Sequence, residues 1–277
     1  MSKLRRFIDR NQLALRKALW RLRHDYSPNA RPVFILGAQR SGTTMLIKCL
    51  NQSLELEVFG EASIAMEDWR IRDLPAIEAL IRKSRHRAVV FKPLTDSHRA
   101  QELMSTSESA RAIWMYRRAA DRANSAVARF GNNNLEHLSA FARGERMDTW
   151  QAQGMSAESV ALISRFNYEN MSPHAAAGLF WYIRNMLYFE QALEADDRVL
   201  PLAYEDLVER PQDVMRAVAD FVGCRFEPAL YDSIHSRSVS RAESRLTPEI
   251  ESLCESLYAR LRDAQRSTLA RIGLAIE

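Results

Sequence analysis

The sequence predicts an α/β fold of three layers, a parallel central sheet flanked by helices on both faces. Three observations carry this expectation. Short apolar runs of strand type alternate with stretches of helical periodicity along most of the 277 residues. The first such run ends in a glycine-bearing loop that leads directly into a helical segment. No internal repeat, low-complexity tract or linker divides the chain, so one main domain over 29–277 is expected, preceded by an N-terminal helical element over 1–28.

Taken in order, residues 3–24 form the first predicted helix, with Leu4, Ile8, Leu15, Leu19 and Leu22 at helical spacing and many Arg and Lys residues on the other faces. The simplest reading is a helix packed on the domain with a solvated basic face. The same pattern fits docking on an anionic membrane surface or a partner, and a cleaved organelle-targeting segment has the same look. Ser27-Pro28-Asn29 is a turn signal that ends this helix. Residues 32–36 (Pro-Val-Phe-Ile-Leu) then read as a strand closed by Gly37, and 45–53 as the helix after the loop. Leu56–Phe59, Ala88–Phe91, 112–116 and Val199–Ala203 are the further strand candidates. Residues 121–194 read as helical throughout, and their aromatic group Phe180, Trp181, Tyr182, Tyr188 and Phe189 reads as core. Residues 212–222 and 248–261 are also helical by pattern.

Composition narrows the function classes. A hydrophobic content of 47% supports a substantial core, and 39 Lys and Arg against 35 Asp and Glu leave a formal charge of +4. That mild excess suits an anionic ligand and gives no indication of nucleic acid. Cys49, Cys224 and Cys254 are widely spaced and form no CxxC pair, so neither a disulfide framework nor a zinc site is expected, and a reducing cytoplasm is the natural reading. No apolar run approaches the roughly 18–20 residues that span a bilayer. His86, His137, His174 and His235 show no metal-ligand spacing and read as surface residues.

The loop at 37–44, Gly-Ala-Gln-Arg-Ser-Gly-Thr-Thr, has the GxxxxG frame of a phosphate-binding loop. Its glycines let successive backbone N–H groups converge on one anion, and the helix that follows adds its positive end. Ser41, Thr43 and Thr44 add hydroxyl donors. In ATP and GTP enzymes a Lys at the position of Thr43 reaches the β/γ-phosphates, with magnesium alongside. Here the fixed charge has moved to Arg40, which suits a single 5′-phosphate bearing one transferable group without a metal.

With these residues in view, the loop resembles the 5′-phosphosulfate-binding loop of the sulfotransferases that use 3′-phosphoadenosine 5′-phosphosulfate (PAPS). Its Arg, in place of Lys, is similar to bacterial members and to the protein-tyrosine sulfotransferases. The resemblance implies a P-loop-like fold, PAPS as donor with adenosine 3′,5′-bisphosphate as product, no metal, and transfer of a sulfuryl group to a hydroxyl or amine. Arg40, Ser41, Gly42, Thr43 and Thr44 are then the 5′ ligands. A second match is Arg117 at a strand end with Ser125 eight residues on, the family's spacing for the 3′-phosphate, although Ala119 replaces the family's Pro. The third, Tyr204-Glu205-Asp206-Leu207, resembles the segment that places Tyr204 near the adenosine. The resemblance runs from about residue 32 to about 223. In the tail, Ser240 or Arg241 are candidates for closing over the 3′-phosphate.

Sulfuryl transfer needs a base for the acceptor proton and positive charge at the departing oxygen. Cytosolic small-molecule members use a His two residues after a strand Lys. Lys92 matches that Lys, but Leu94 occupies the His position. Protein-tyrosine sulfotransferases instead place a Glu after a Gly, twenty-one residues beyond the loop arginine. Glu61, preceded by Gly60, stands at that spacing from Arg40. The resemblance therefore implies Glu61 as base, Arg40 stabilising the leaving phosphate and Lys92 as a second cation, with His98 in reserve. The acceptor is expected to be a small molecule, a carbohydrate or a lipid. The alternatives are a P-loop small-molecule kinase and a non-catalytic binding protein on the same fold.

Overall fold

A computed structural model describes residues 3–234 and 243–276. Five strands build the central sheet: β1 (Arg31–Gly37), β2 (Leu56–Phe59), β5 (Ala88–Phe91), β6 (Arg111–Tyr116) and β7 (Val199–Ala203). Their order is β2-β5-β1-β6-β7, and each neighbouring pair is parallel. A two-stranded antiparallel hairpin, β3 (Met66–Glu67) with β4 (Arg70–Ile71), stands apart from this sheet. The helices are α1 (Lys3–Arg23), α2 (Thr43–Leu50), α3 (Leu74–Lys83), α4 (Ala100–Met104), α5 (Ala119–Phe130), α6 (Asn133–Ala142), α7 (Ala157–Ile163), α8 (Pro173–Glu190), α9 (Tyr204–Glu209), α10 (Pro211–Val222) and α11 (Pro248–Arg271).

The strands are apolar along their whole length because both faces are covered. Alternate residues of β1 point to opposite layers. Phe34 and Leu36 join Phe91, Trp114 and Tyr116 in a core with Ile77 of α3, Leu179 and Trp181 of α8, and Leu257 and Leu261 of α11. Val33 and Ile35 join Met115 and Leu202 in a second core with Leu46 of α2 and Val214 and Val218 of α10. The aromatic group of α8 lies in or against the first core, as its pattern predicts. Helix starts follow local chemistry. Asp73 caps α3 by accepting from the Ala76 N–H at 3.3 Å, and Ser172, before Pro173, caps α8 through Ala175 N–H at 3.1 Å.

The predicted strands lie where the sequence puts them, but two helical expectations and the placement of one histidine need correction. The segment 121–194 is not one continuous helical stretch. It divides into α5, α6, α7 and α8, with Gly131, Gly144 and Gly154 at positive φ and fresh caps at Ser156 and Ser172. In α1, Leu15, Leu19 and Leu22 are not on the packing face, since they are 62%, 53% and 74% exposed. The helix docks instead through Lys17, which donates to Asn51 Oδ1 and to the Leu56 carbonyl, each at 2.8 Å, and through Trp20, whose ring stacks on His86 at 5.3 Å. Burial lowers the Lys17 pKa to about 8, partly offset by Glu57. His86 is accordingly buried under Trp20 rather than at the surface. Among the described residues, no helix is long and apolar enough to cross a membrane.

Candidate active site

The site lies beyond the carboxyl ends of the parallel strands, where α/β sheets offer a crevice. The loop after β1 shapes it. Gly37 has φ 119°, and a Cβ there falls 2.2 Å from the Met115 carbonyl oxygen of the neighbouring strand. Gly42, φ 90°, leaves no room either, since a Cβ meets Tyr204 Cδ2 at 2.3 Å. Arg40 takes φ 68° without being glycine, so the loop stores backbone strain where its charge is displayed. Helix α2 starts at Thr43, so its positive amino end adjoins the loop.

A cavity of about 720 Å³ opens over this loop. It brings together Arg40, Gly42, Thr43, Thr44, Glu61, Lys92, Arg117, Ser125 and Tyr204 from five separate stretches of chain. Ser41 is different: it is fully buried inside the loop, and its hydroxyl has no hydrogen-bond partner among the described residues. The Lys92 ammonium, 4% exposed, donates to Thr44 Oγ1 at 2.8 Å and pairs with Glu61 Oε2 at 3.2 Å. Burial lowers the Lys92 pKa, an effect the Glu61 carboxylate opposes. On the other side, Arg40 Nε donates to Ser125 Oγ at 3.0 Å. The Arg117 guanidinium lies 4.5 Å from the centre of the Tyr204 ring, a cation–π contact. Arg40, Lys92, Arg117 and Arg129 outnumber Glu61 and Asp121 around the cavity, so its field favours an anion. Burial raises the Asp121 pKa, opposed mainly by Arg117.

The surrounding shell explains why these groups stay in place. Glu205 Oε1 accepts from the Arg118 N–H at 2.9 Å, and Tyr258 donates to Glu205 Oε2 at 3.2 Å, which pins the β6–α5 junction carrying Arg117. Asp206 accepts from Arg262, Gln265 and Arg210. The Tyr-Glu-Asp segment therefore supplies two buried carboxylate anchors beside the tyrosine. Arg122 is wholly buried under the loop. Its Nε donates to the Gln39 carbonyl at 3.1 Å, and one terminal nitrogen donates to Asn134 Oδ1 at 3.0 Å and the Ala177 carbonyl at 2.9 Å. Desolvation lowers its pKa to about 9.

His98, the reserve base, is not among the residues lining the cavity, and its Cβ packs on Gly154. Burial and the nearby Arg184 and Arg70 lower its pKa to about 4. Ser240 and Arg241 lie outside the described residues. Leu94, two residues after Lys92, does line the cavity. Trp69 on the hairpin and Arg122 under the loop are site residues that the sequence reading missed.

The family model described as Sulfotransferase domain matches residues 30–253. Comparison with curated protein sequences finds no match. Among solved structures, a sulfotransferase from Alicyclobacillus acidocaldarius is similar at 20% identity and TM-score 0.45, over 89% of this chain and 97% of that one. A sulfotransferase domain from the curacin biosynthetic pathway is similar at 16% identity and TM-score 0.44, over 90% and 99%. A mouse sulfotransferase complexed with PAP follows at 11% identity and TM-score 0.41, over 91% of each chain.

Proposed function

The chain belongs to the sulfotransferase domain family, and from that premise we propose that it moves a sulfuryl group from PAPS to an acceptor hydroxyl or amine. The observation that carries this reading is the reach of Lys92, which contacts Thr44 on the loop and Glu61 across from it. One ammonium thus stands between a phosphate-type cradle and a carboxylate.

The residues present fit such a donor. The buried Ser41 hydroxyl has no hydrogen-bond partner among the described residues, and the Gly42 cradle is closed to any side chain by Tyr204. PAPS, when bound, supplies the activated sulfuryl group. Arg40, Thr43, Thr44 and the loop amides would hold the 5′-phosphosulfate end, Arg117 and Ser125 would hold the 3′-phosphate, and Tyr204 would contact the adenosine. Glu61 takes the acceptor proton as the acceptor oxygen bonds to sulfur. With the donor bound, Arg40 would offset the charge left on the 5′-phosphate as its sulfur–oxygen bond breaks, and Lys92 would supply a second positive charge at the sulfuryl group. These two cations would supply the charge that phosphoryl-transfer enzymes take from magnesium and a loop lysine.

Glu61→Ala tests the assignment. Turnover of labelled PAPS should fall about 10²-fold or more, the scale of general-base loss, while calorimetric binding of adenosine 3′,5′-bisphosphate is retained. Undiminished turnover places the base elsewhere.

We also propose a reducing cytoplasmic setting with docking of α1 on anionic lipid. Cys49, Cys224 and Cys254 are buried free thiols, which supports the first. The second rests on the exposed Leu15, Leu19 and Leu22, bordered by exposed Arg16, Arg23, Lys83 and Arg85. Pelleting with phosphatidylserine vesicles, lost in a triple Leu→Ser variant of these positions, supports docking. Equal recovery with neutral vesicles, or a salt-stable dimer through this face, contradicts it.

A further inference from the structure

The cavity has a wall that the donor ligands leave unused. Asp68 and Trp69 form the two-residue turn between β3 and β4, with φ 46° and 65°. Two left-handed residues in a two-residue hairpin are the pattern that Asn-Gly or Asp-Gly normally supplies. A bulky tryptophan in the second position is strained, and such strain persists only where the surroundings over-determine it.

They do so here. Thr95 Oγ1 donates to the Trp69 carbonyl at 2.6 Å. The wholly buried Asp96 accepts from the Ile71 N–H at 2.8 Å and from Arg70 Nε at 2.7 Å. The hairpin is thereby fastened to the segment just after Lys92. Yet the Trp69 residue it holds is 67% exposed and lines the same cavity as Glu61, Lys92 and Leu94. A buried polar network that fixes the backbone beneath an exposed tryptophan at a cavity wall has a ligand-facing purpose more readily than a packing one.

We propose that Trp69 and Leu94 form the acceptor wall, and that it takes an alcohol carried on a flat or aliphatic apolar body, an aryl or long-chain alcohol. This rests on the sulfuryl-transfer reading above. The acceptor body lies on the indole and on Leu94, which puts its hydroxyl at Glu61. The hydroxyl proton passes to the carboxylate, the oxygen bonds to sulfur, and the sulfur–oxygen bond to the 5′-phosphate breaks with its electron pair left on the phosphate. A sugar would need several polar partners for its hydroxyls. Beside Glu61 and Lys92 this wall offers an indole and an isobutyl group instead.

The test uses the full chain saturated with adenosine 3′,5′-bisphosphate and titrated calorimetrically with 2-naphthol, 1-octanol and N-acetylglucosamine. Naphthol and octanol are expected to bind, and the sugar is not. Trp69→Gly suits the left-handed turn, so its thermal midpoint should not fall. It should weaken naphthol about tenfold or more, leave bisphosphate affinity unchanged, and raise the acceptor KM with labelled PAPS while kcat changes little. Trp69→Phe should restore most of the affinity. Sugar binding without naphthol binding, or naphthol affinity unchanged in Trp69→Gly, overturns the proposal. Failure of the wild type to bind the bisphosphate at all overturns the sulfuryl-transfer reading, and this one with it.

Discussion

Arg117 and Gly42 meet at the Tyr204 ring, one as a cation over its face and the other as the only residue type that leaves it room. Gly42→Ala forces a methyl within 2.3 Å of the ring and places a side chain at φ 90°. We expect it to weaken adenosine 3′,5′-bisphosphate by at least about tenfold and to lower the thermal midpoint by several degrees. Arg117→Ala removes a guanidinium without that clash. Its expected effect is a loss of bisphosphate affinity of roughly ten- to a hundredfold, with kcat at saturating PAPS nearly unchanged; steady-state kinetics against PAPS concentration checks both. That Glu61, Arg40 and Lys92 gather at one cavity was legible because their signals lie along the chain, at fixed spacing from a recognisable loop. Arg122 was not. In sequence it is one arginine in an alanine-rich helix, and its role depends on the Ala177 carbonyl, 55 residues away.

The 3-10 turn at Leu94–Arg99 is the element that joins the site to its shell. Ser97 bonds the backbone of Gly37, Asp96 fastens the hairpin, and His98 packs on Gly154. His98 supplies a pH prediction. Its folded pKa of about 4 lies below the ordinary 6.5, so between these values the unfolded chain binds a proton that the folded chain does not. Stability is therefore expected to fall as pH drops from 6.5 to about 4, and this contribution then levels off. Chemical denaturation across that range should show a shallower acid loss in His98→Gln; an identical slope contradicts the assignment. Strands and the loop-to-helix unit were legible because their apolar runs are short and bounded by turns. The β3–β4 hairpin was not, since its strands are two residues each and its turn defies the usual Asn-Gly chemistry. The breaks in 121–194 were hidden because helical periodicity continues on both sides of them.

At the scale of the molecule, strand and helix alternation predicts a parallel sheet, and the sheet is parallel throughout. The strand order was not legible. β5 crosses back to lie between β2 and β1, and only that crossing sets Lys92 beside the end of β2, where Glu61 follows. Likewise β6 on the other side of β1 brings Arg117 to the loop. We propose that these crossings assemble a site that takes a nucleotide with both 5′ and 3′ phosphoryl groups without a metal. The most direct test is calorimetric titration of the full chain with adenosine 3′,5′-bisphosphate in EDTA, and separately with Mg-ATP. Saturable one-to-one binding of the bisphosphate without metal is expected, and none comparable for Mg-ATP. Binding of Mg-ATP with no binding of the bisphosphate would contradict it.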